Sequence, residues 1–476
     1  MNLLETNAQI QDIETNHDLL RYKIGGWCAW PILRFSLAAI ASNLTIDTTD
    51  IRLTLSERVN QSIRDASCFL HSKHSKVLLL VASSNRVELE NDLYKDIIFD
   101  GLLRYIPSYF KIEHINNKFY LDHSYSALYP SQMTTSGIYL VASTLSKLIQ
   151  PKPIILLADN LYSLIKDVLQ ISNLERMYIR KALLSYYWRK NLYRTLLRRI
   201  KPHILLLQTA YTNHAIVAAA KELNIRVIEF QHGIIDRHHP GYSWTATASN
   251  YKKHMPIPDQ VFVYGDYWRD ELSMNGFWNE EICVVGSLHL DQYRTHKDTN
   301  QYIRSNRFLT SRKIVVTTQA MDVDHLISFL IEFIKSSAQP IEIDIKLHPR
   351  ESDRQPYEIA FKDYPNIRII SGHTPPSTFE LLSKADYHVS IHSTCHYDAL
   401  GLGKPTIILP FTNYERMLPL MEKAPGYTFL VRTAAEMNQI IAYDRPVPQE
   451  IGAYYFRNGA LENIIHELHL EERIVS

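Results

Sequence analysis

Between residues 202 and 233 the chain reads Pro202-His-Ile-Leu-Leu-Leu-Gln208, then Asn213-His-Ala-Ile-Val-Ala-Ala-Ala-Lys-Glu-Leu223, then Ile225-Arg-Val-Ile-Glu-Phe230, and closes on Gln231-His232-Gly233. Two short, continuous apolar runs flank an alanine-rich segment. Such runs suit strands buried on both faces, as in a parallel sheet, and the segment between them suits a helix. A strand, a helix and a strand within this length form a βαβ unit, which predicts a doubly wound α/β domain.

The same punctuation extends in both directions. Upstream are Val77-Leu-Leu-Leu-Val-Ala82, which runs into small polar residues, and Pro153-Ile-Ile-Leu-Leu-Ala158. Downstream are Gln260-Val-Phe-Val-Tyr-Gly265, Ile282-Cys-Val-Val-Gly286, Lys313-Ile-Val-Val-Thr-Thr318, Ile341-Glu-Ile-Asp-Ile-Lys-Leu347, Ile367-Arg-Ile-Ile370, Tyr387-His-Val-Ser-Ile391 and Pro405-Thr-Ile-Ile-Leu409. Helix-like segments at 324–335 and 379–384 separate several of them. At 476 residues the chain exceeds what one core usually organises. The expected fold class is therefore α/β, with two Rossmann-like doubly wound domains facing a cleft. The expected divisions are an N-terminal helical extension (1–70), an N-terminal acceptor domain (71–250), a C-terminal nucleotide-donor domain (251–445) and a C-terminal helix crossing back (446–476). The hinge is expected near 249–258, a polar stretch with Pro256 and Pro258.

Composition narrows the partners. Hydrophobic content of 46%, 21% charged residues and a net charge of +1 give no global attraction to nucleic acid, so any phosphate recognition must be local. Cys28, Cys68, Cys283 and Cys395 are far apart, which indicates neither a zinc site nor a disulfide framework. The first residues lack the basic start and apolar run of a signal peptide, so the expected localisation is cytoplasmic. The apolar stretch 27–44 is interrupted by Pro31 and Arg34 and falls short of a spanning helix. It reads as a buried helix packing Trp27 and Trp30, with a membrane-surface role as the alternative. Residues 176–201 carry nine Lys or Arg and no acid, interleaved with aromatics. That pattern suits either an anionic membrane surface or a solvated basic face on a long helix.

The chemistry concentrates where strands end. His232 follows a strand, and Gly233 permits a positive φ or close ligand approach, so the imidazole is offered to the cleft as a general base or phosphate contact. His238 and His239 extend the same loop; a metal pair is the other reading, without further ligands at recognisable spacing. After a later strand, Lys346-Leu-His348-Pro349-Arg350 supplies three candidate cationic donors around a fixed turn, suited to a phosphate leaving group without a metal. Ser393 and Thr394 then stand where a helix begins, as N-cap groups able to hold phosphate oxygens, and Asp398 lies about a turn later, within reach of a ribose. An acceptor hydroxyl also needs a base from the first domain, and Glu88 and Asp92 lead as candidates. Asp96 and Asp100 read as a salt-bridged helix face.

The ordered set Gln231-His232-Gly233, Val284-Val285-Gly286-Ser287, Lys346-x-His348-Pro349, Asp386 with Ser393-Thr394, and Gly403-Lys404-Pro405 resembles bacterial surface-polysaccharide glycosyltransferases of the GT-B architecture. It is most similar to those with capsule-synthesis or CDP-glycerol glycerophosphotransferase character, over roughly 202–411. The resemblance implies that His348, Ser393 and Thr394 hold the donor phosphates with Lys346, Pro349 and Arg350 around them, that Asp398 binds the donor ribose, and that His232 faces the reacting centre beside Gln231, Gly233 and Gly286. It implies no cofactor and no metal. The substrate would be a CMP-, CDP- or UDP-linked sugar, the acceptor a glycan or lipid-linked glycan, with an anionic membrane surface as a further partner.

Two departures stand out. Gln231 replaces the tryptophan of the glycerophosphotransferases, and Ser-Thr replaces their consecutive serines, which leaves the transferred group open. CMP-sugar transferases that carry a His-Pro segment keep an acidic sugar in view. The alternatives are a sugar-nucleotide 2-epimerase, whose paired-Gly and paired-Glu segment is replaced here by Ser393-Thr394-Cys395-His396, and a non-catalytic assembly protein of the same fold.

Overall fold

The computed structural model describes residues 3–42, 54–82, 86–88, 93–115, 127–169, 174–294, 311–349, 351, 353–372 and 374–470. Two parallel sheets organise it. The first contains β1 (Val77–Ala82), β2 (Tyr109–His114), β3 (Met133–Thr134), β4 (Ile204–Leu207), β5 (Arg226–Phe230), β6 (Gln260–Val263) and β7 (Ile282–Val284), in the spatial order β7-β6-β5-β4-β1-β2-β3. The second contains β8 (Arg312–Thr317), β9 (Ile341–Lys346), β10 (Ile367–Ile370), β11 (Tyr387–Ser390), β12 (Thr406–Ile408) and β13 (Thr428–Leu430), in the order β10-β9-β8-β11-β12-β13. Every pairing in both sheets is parallel. The chain reverses direction across each sheet once, beside β1 in the first and beside β8 in the second. These reversals are switch points, where the connections on either side diverge and leave a crevice at the strands' carboxyl ends. The molecule is thus two Rossmann-like domains, the GT-B arrangement.

The boundary between them differs from the sequence expectation. β6 and β7 were expected to open the second domain, yet β6 pairs with β5, and β7 with β6. The chain leaves the first sheet only after Val284, so a division at 250/251 falls inside that sheet, and residues 246–254 form a 3₁₀ segment between two of its strands. A second difference concerns Pro153-Ile-Ile-Leu-Leu-Ala158, which lies in the helix Lys152–Leu169 rather than a strand. Buried Ile154, Ala158, Leu161 and Ile165 recur at helical spacing, and Pro153 sits in the first turn, where its missing N–H costs nothing.

The N-terminal extension packs on the first domain through Leu3–His17 and Trp30–Ala41. Trp27 and Trp30 are buried. Arg34, in the same helix, is buried against Glu14 at 2.5 Å, bonds the carbonyls of Pro240 and Ser243, and lies 4.3 Å from the Trp244 ring. A charge so enclosed persists because each of its donors has an acceptor. The basic helix Arg176–Ile200 spends most of its aromatic side inward: Tyr186 and Tyr193 are buried, and Lys190 pairs with Glu222. Arg176, Lys181, Arg198 and Arg199 stay exposed. No single described helix is long and apolar enough to cross a membrane; the pair Ser136–Leu148 and Lys152–Leu169, bent by 91°, passes by length and composition only. All four cysteines are free thiols.

The C-terminal segment returns to the first domain. Ala460, Ile464, Leu468 and Leu470 share a core with Val77, Leu206, Phe230 and Phe262 of the first sheet. Gly286 has φ +96°, and a Cβ there would stand 2.4 Å from the Arg457 carbonyl oxygen, so the close crossing requires glycine. Arg294 fastens the same junction by donating to the carbonyls of Gly401, Gly452 and Phe456.

Candidate functional site

β5 carries its chain to the carboxyl edge of the first sheet and releases it into Gln231-His232-Gly233. Gln231 is buried: its Oε1 accepts from the Tyr264 amide at 2.8 Å, and one proton of its Nε2 is donated to the Gly233 carbonyl at 2.8 Å. These two bonds shape the turn, and the second Nε2 proton takes part in neither. Gly233 has no positive φ, and a Cβ there would meet nothing within 4 Å, so neither a left-handed turn nor a tight contact explains it.

His232 Nε2 lies 3.3 Å from Tyr211 Oη. Burial, partly opposed by the Gln208 carbonyl, pushes its pKa down to about 4, which keeps the imidazole neutral near pH 7. Around it stands an aromatic cage. Tyr211 packs 4.7 Å from Phe35, 5.0 Å from His239 and 5.4 Å from Tyr242 by ring centroids. Gly241 makes room for it, since a Cβ there would lie 2.6 Å from the Tyr211 ring. Below the cage, Glu229 Oε1 accepts from Tyr242 Oη at 2.5 Å and from the Ala210 amide at 3.0 Å. Its burial raises its pKa to about 8, against the pull of those two donors. His238 is exposed, whereas His239 is enclosed with its Nδ1 accepting from the Gly241 amide. The two do not form a metal pair, and no group of three His, Cys, Asp or Glu suited to a metal ion occurs among the described residues.

The second sheet offers its own carboxyl edge across the cleft. Lys346 ends β9 but turns inward, donating to the carbonyls of Ser371 (2.7 Å), Thr374 (2.6 Å) and Pro376 (3.1 Å). With its three protons spent and its pKa lowered by burial to about 8, it braces the 371–376 loop and does not meet a donor phosphate. His348 is half-buried at this edge, and its amide donates to Thr318 Oγ1 at 2.9 Å. Pro349 is exposed, and the turn packs so tightly that a Cβ on Gly372 would lie 2.5 Å from the Pro349 nitrogen.

At the β8/β11 switch point, Ser390 Oγ donates to the Thr317 carbonyl at 2.7 Å. Ser393 is buried and accepts from the Cys395 amide at 3.2 Å; Thr394 is the N-cap residue and exposed, but makes no side-chain capping bond. The helix Cys395–Gly401 is therefore not capped by the Ser-Thr pair in the way its sequence suggests. His388 and His396 serve the core: His388 spans the hydroxyls of Thr317 (2.9 Å) and Thr406 (2.8 Å), and His396 lies 2.6 Å from Thr406.

Asp398 faces elsewhere. With Gln231, Gly286, Ser287, His289 and Phe379 it lines a narrow cavity of about 40 Å³ between the domains, too small for a nucleoside as it stands. Burial alone pushes its pKa up to about 7. His289, also buried there, has no hydrogen-bond partner at either ring nitrogen among the described residues. The structure thus brings Gln231, Gly286 and Asp398 to one cavity, whose walls do not include His348, Ser393 or Thr394. Of the remaining candidates, the Glu88 side chain and all of Asp92 and Arg350 lie outside the described residues. Asp100 pairs with Lys111 at 2.9 Å, and Asp96 receives the amides of Ile98 and Phe99.

Three residues were not singled out from sequence. Tyr211 reaches His232 through the fold, and Glu229 lies under the same cage through its bond from Tyr242. Arg416, exposed in the turn after β12, adds to burial in lowering the pKa of both His239, on the first domain, and His392, on the second. A basic residue in a loop after a strand was the available signal for Arg416.

No protein-family model and no curated protein matches the chain. Solved structures do. The UDP-GlcNAc 2-epimerase from Neisseria meningitidis, bound to UDP-GlcNAc, is 16% identical, with 83% of this chain and 99% of that one covered at a TM-score of 0.49. The UDP-GlcNAc 2-epimerase from Methanocaldococcus jannaschii is 14% identical, with 83% and 99% covered at a TM-score of 0.48. The wall teichoic acid polymerase TagF is 13% identical, with 89% and 100% covered at a TM-score of 0.45. Likenesses at these identities and scores do not assign a substrate or a reaction.

Proposed function

We propose that this protein is a metal-independent glycosyltransferase, inverting or retaining, that moves a sugar from a CMP-, CDP- or UDP-linked donor to a growing bacterial surface glycan or its lipid-linked form. The observation that carries the reading is His232, held against Tyr211 in an aromatic cage at the carboxyl edge of one sheet, beside His239, whose pKa is lowered in part by Arg416 from the carboxyl edge of the other. In the transfer, the acceptor oxygen bonds to the anomeric carbon and its proton passes to the His232 imidazole. The bond from that carbon to the donor phosphate breaks, and its electron pair leaves with the nucleotide. In this reading Arg416, His348, Ser393 and Thr394 would take up the charge that builds on the phosphate. Asp398 meets a ribose only after its cavity widens. The protein would work in the cytoplasm or at the inner membrane face, where the exposed arginines of the long basic helix suit anionic lipid.

Thermal unfolding with CMP, CDP, UDP, GDP and the corresponding sugar nucleotides tests the donor side: one base class should raise Tm at millimolar concentration. His232→Ala should then slow nucleotide release in the presence of acceptor by roughly 10²- to 10⁴-fold, the usual worth of a general base. Stabilisation by none of the nucleotides sinks the proposal. Interconversion of the donor sugar without acceptor would favour the epimerase reading instead.

A further inference from the structure

A second cavity, of about 150 Å³, lies in the first domain and is absent from everything derived above. Ala82, His114, Tyr139, Thr209, Thr212 and Asn213 are among its walls. Its place in the topology is specific. Ala82 ends β1, and residues 208–213 follow β4, the two adjacent strands between which the first sheet reverses. The crevice at such a reversal is where open α/β sheets take their ligands. The 3₁₀ turn Ala210–Thr212 joins this cavity to the reacting edge, because it carries Tyr211, whose hydroxyl lies 3.3 Å from His232 Nε2.

The chemistry of the walls is uniform in kind. Thr209 Oγ1 accepts from Thr212 Oγ1 and from Asn213 Nδ2, both at 3.0 Å, so its own proton is left to donate. Asn213 Oδ1 accepts no hydrogen bond among the described residues. His114 Nδ1 engages Thr135 Oγ1 at 2.8 Å, which leaves Nε2, and the ring stays neutral because burial and then Arg189 lower its pKa. Tyr139 supplies a ring edge 5.4 Å from His114, with Arg189 over its face at 5.0 Å, outside the cavity wall. Gln208 is already committed to the Ala82 amide and Asp96. No Lys, Arg, Asp or Glu is among the described walls. Hydroxyl, amide and imidazole groups beside an aromatic ring match a ligand made of uncharged hydroxyls, and no charged side chain among the described walls pairs with a carboxylate or a phosphate.

We infer that this cavity is the acceptor subsite and that it takes an uncharged sugar ring, presenting a hydroxyl toward His232. The assignment of acceptor rests on the transferase reading; the preference for a neutral sugar rests on the walls alone. Saturation-transfer NMR on the full chain tests it with methyl glycosides of glucose, galactose, N-acetylglucosamine and rhamnose, and with N-acetylneuraminic acid and glycerol 3-phosphate as anionic counterparts. At least one neutral glycoside should receive saturation, and the signal should fall at least fivefold in Asn213→Ala and in Thr212→Trp. The second variant closes the mouth from an exposed position, and its far-ultraviolet spectrum and Tm check that the fold survives. Equal or stronger signals from the anions, or neutral binding that ignores both variants, overturn the inference. Nucleotide stabilisation without any sugar binding overturns the subsite and leaves the transferase reading standing. Sugar binding lost in both variants but without nucleotide stabilisation upholds the neutral-sugar site and removes its acceptor role.

Discussion

Glu229 stands one residue before the end of its strand, with its carboxyl enclosed by Tyr242 and the Ala210 amide, where a negative charge has no water to stabilise it. Its pKa rises from an ordinary 4.5 to about 8, so the folded protein keeps a proton that the unfolded chain releases. The sign follows: the contribution is fully present below pH 4.5 and is lost as pH climbs toward 8. Glu229→Gln should therefore flatten the fall in Tm between pH 5 and 8, measured by calorimetry; an unchanged slope would show that the carboxyl ionises freely. Lys346 makes the contrasting case. Its three bonds to carbonyls predict that Lys346→Met destabilises the fold by on the order of 3 kcal/mol, while nucleotide-induced stabilisation of the folded fraction persists. Loss of that stabilisation with an unchanged fold would return Lys346 to the donor site. Sequence identified the type of residue at 346 and its position after a strand, but a lysine at a strand end looks the same whether it faces a phosphate or a loop carbonyl. Gln231 was opaque for the same reason, and Tyr211 because its contact with His232 joins different strands.

Elements were more legible than partners. The parallel strands and the helix His214–Glu222 follow from runs and periods within the chain, and these survive folding because burial acts on them directly. The run at Pro153 misled because a short apolar stretch suits a buried helix as well as a strand; its helical period appears only when residues to Ile165 are included. The first domain's last two strands were assigned to the wrong sheet because a strand's sequence records that it is buried, not which neighbour buries it. At this scale the buried Arg34–Glu14 pair is testable. Arg34→Leu leaves the Glu14 carboxylate enclosed without its partner and should cost about 3–5 kcal/mol, with much of the loss recovered in the Arg34→Leu, Glu14→Leu double variant. Denaturant midpoints of the wild type and these two variants read this directly; equal losses in the single and double variants would show that packing, not charge, sets the cost.

Across the whole molecule, two switch points face one cleft, and the segment 449–467 straps the domains together. Gly286→Ala tests the strap, since its Cβ would strike the Arg457 carbonyl and its φ is in the left-handed region. A loss of about 1–3 kcal/mol is expected, with faster amide exchange in β6, β7 and the last helix ahead of the second sheet. Uniform exchange across both domains would mean that the crossing does not stabilise the first domain separately.

That crossing also bears on how the protein is made. The ribosome releases β1 to β7 long before Ala460, Ile464 and Leu468, yet those late residues cover the layer formed by Val77, Leu206, Phe230 and Phe262. One face of the first domain therefore waits without these late residues through synthesis of the entire second domain, which lengthens the time its apolar side chains are open to aggregation in the nascent chain.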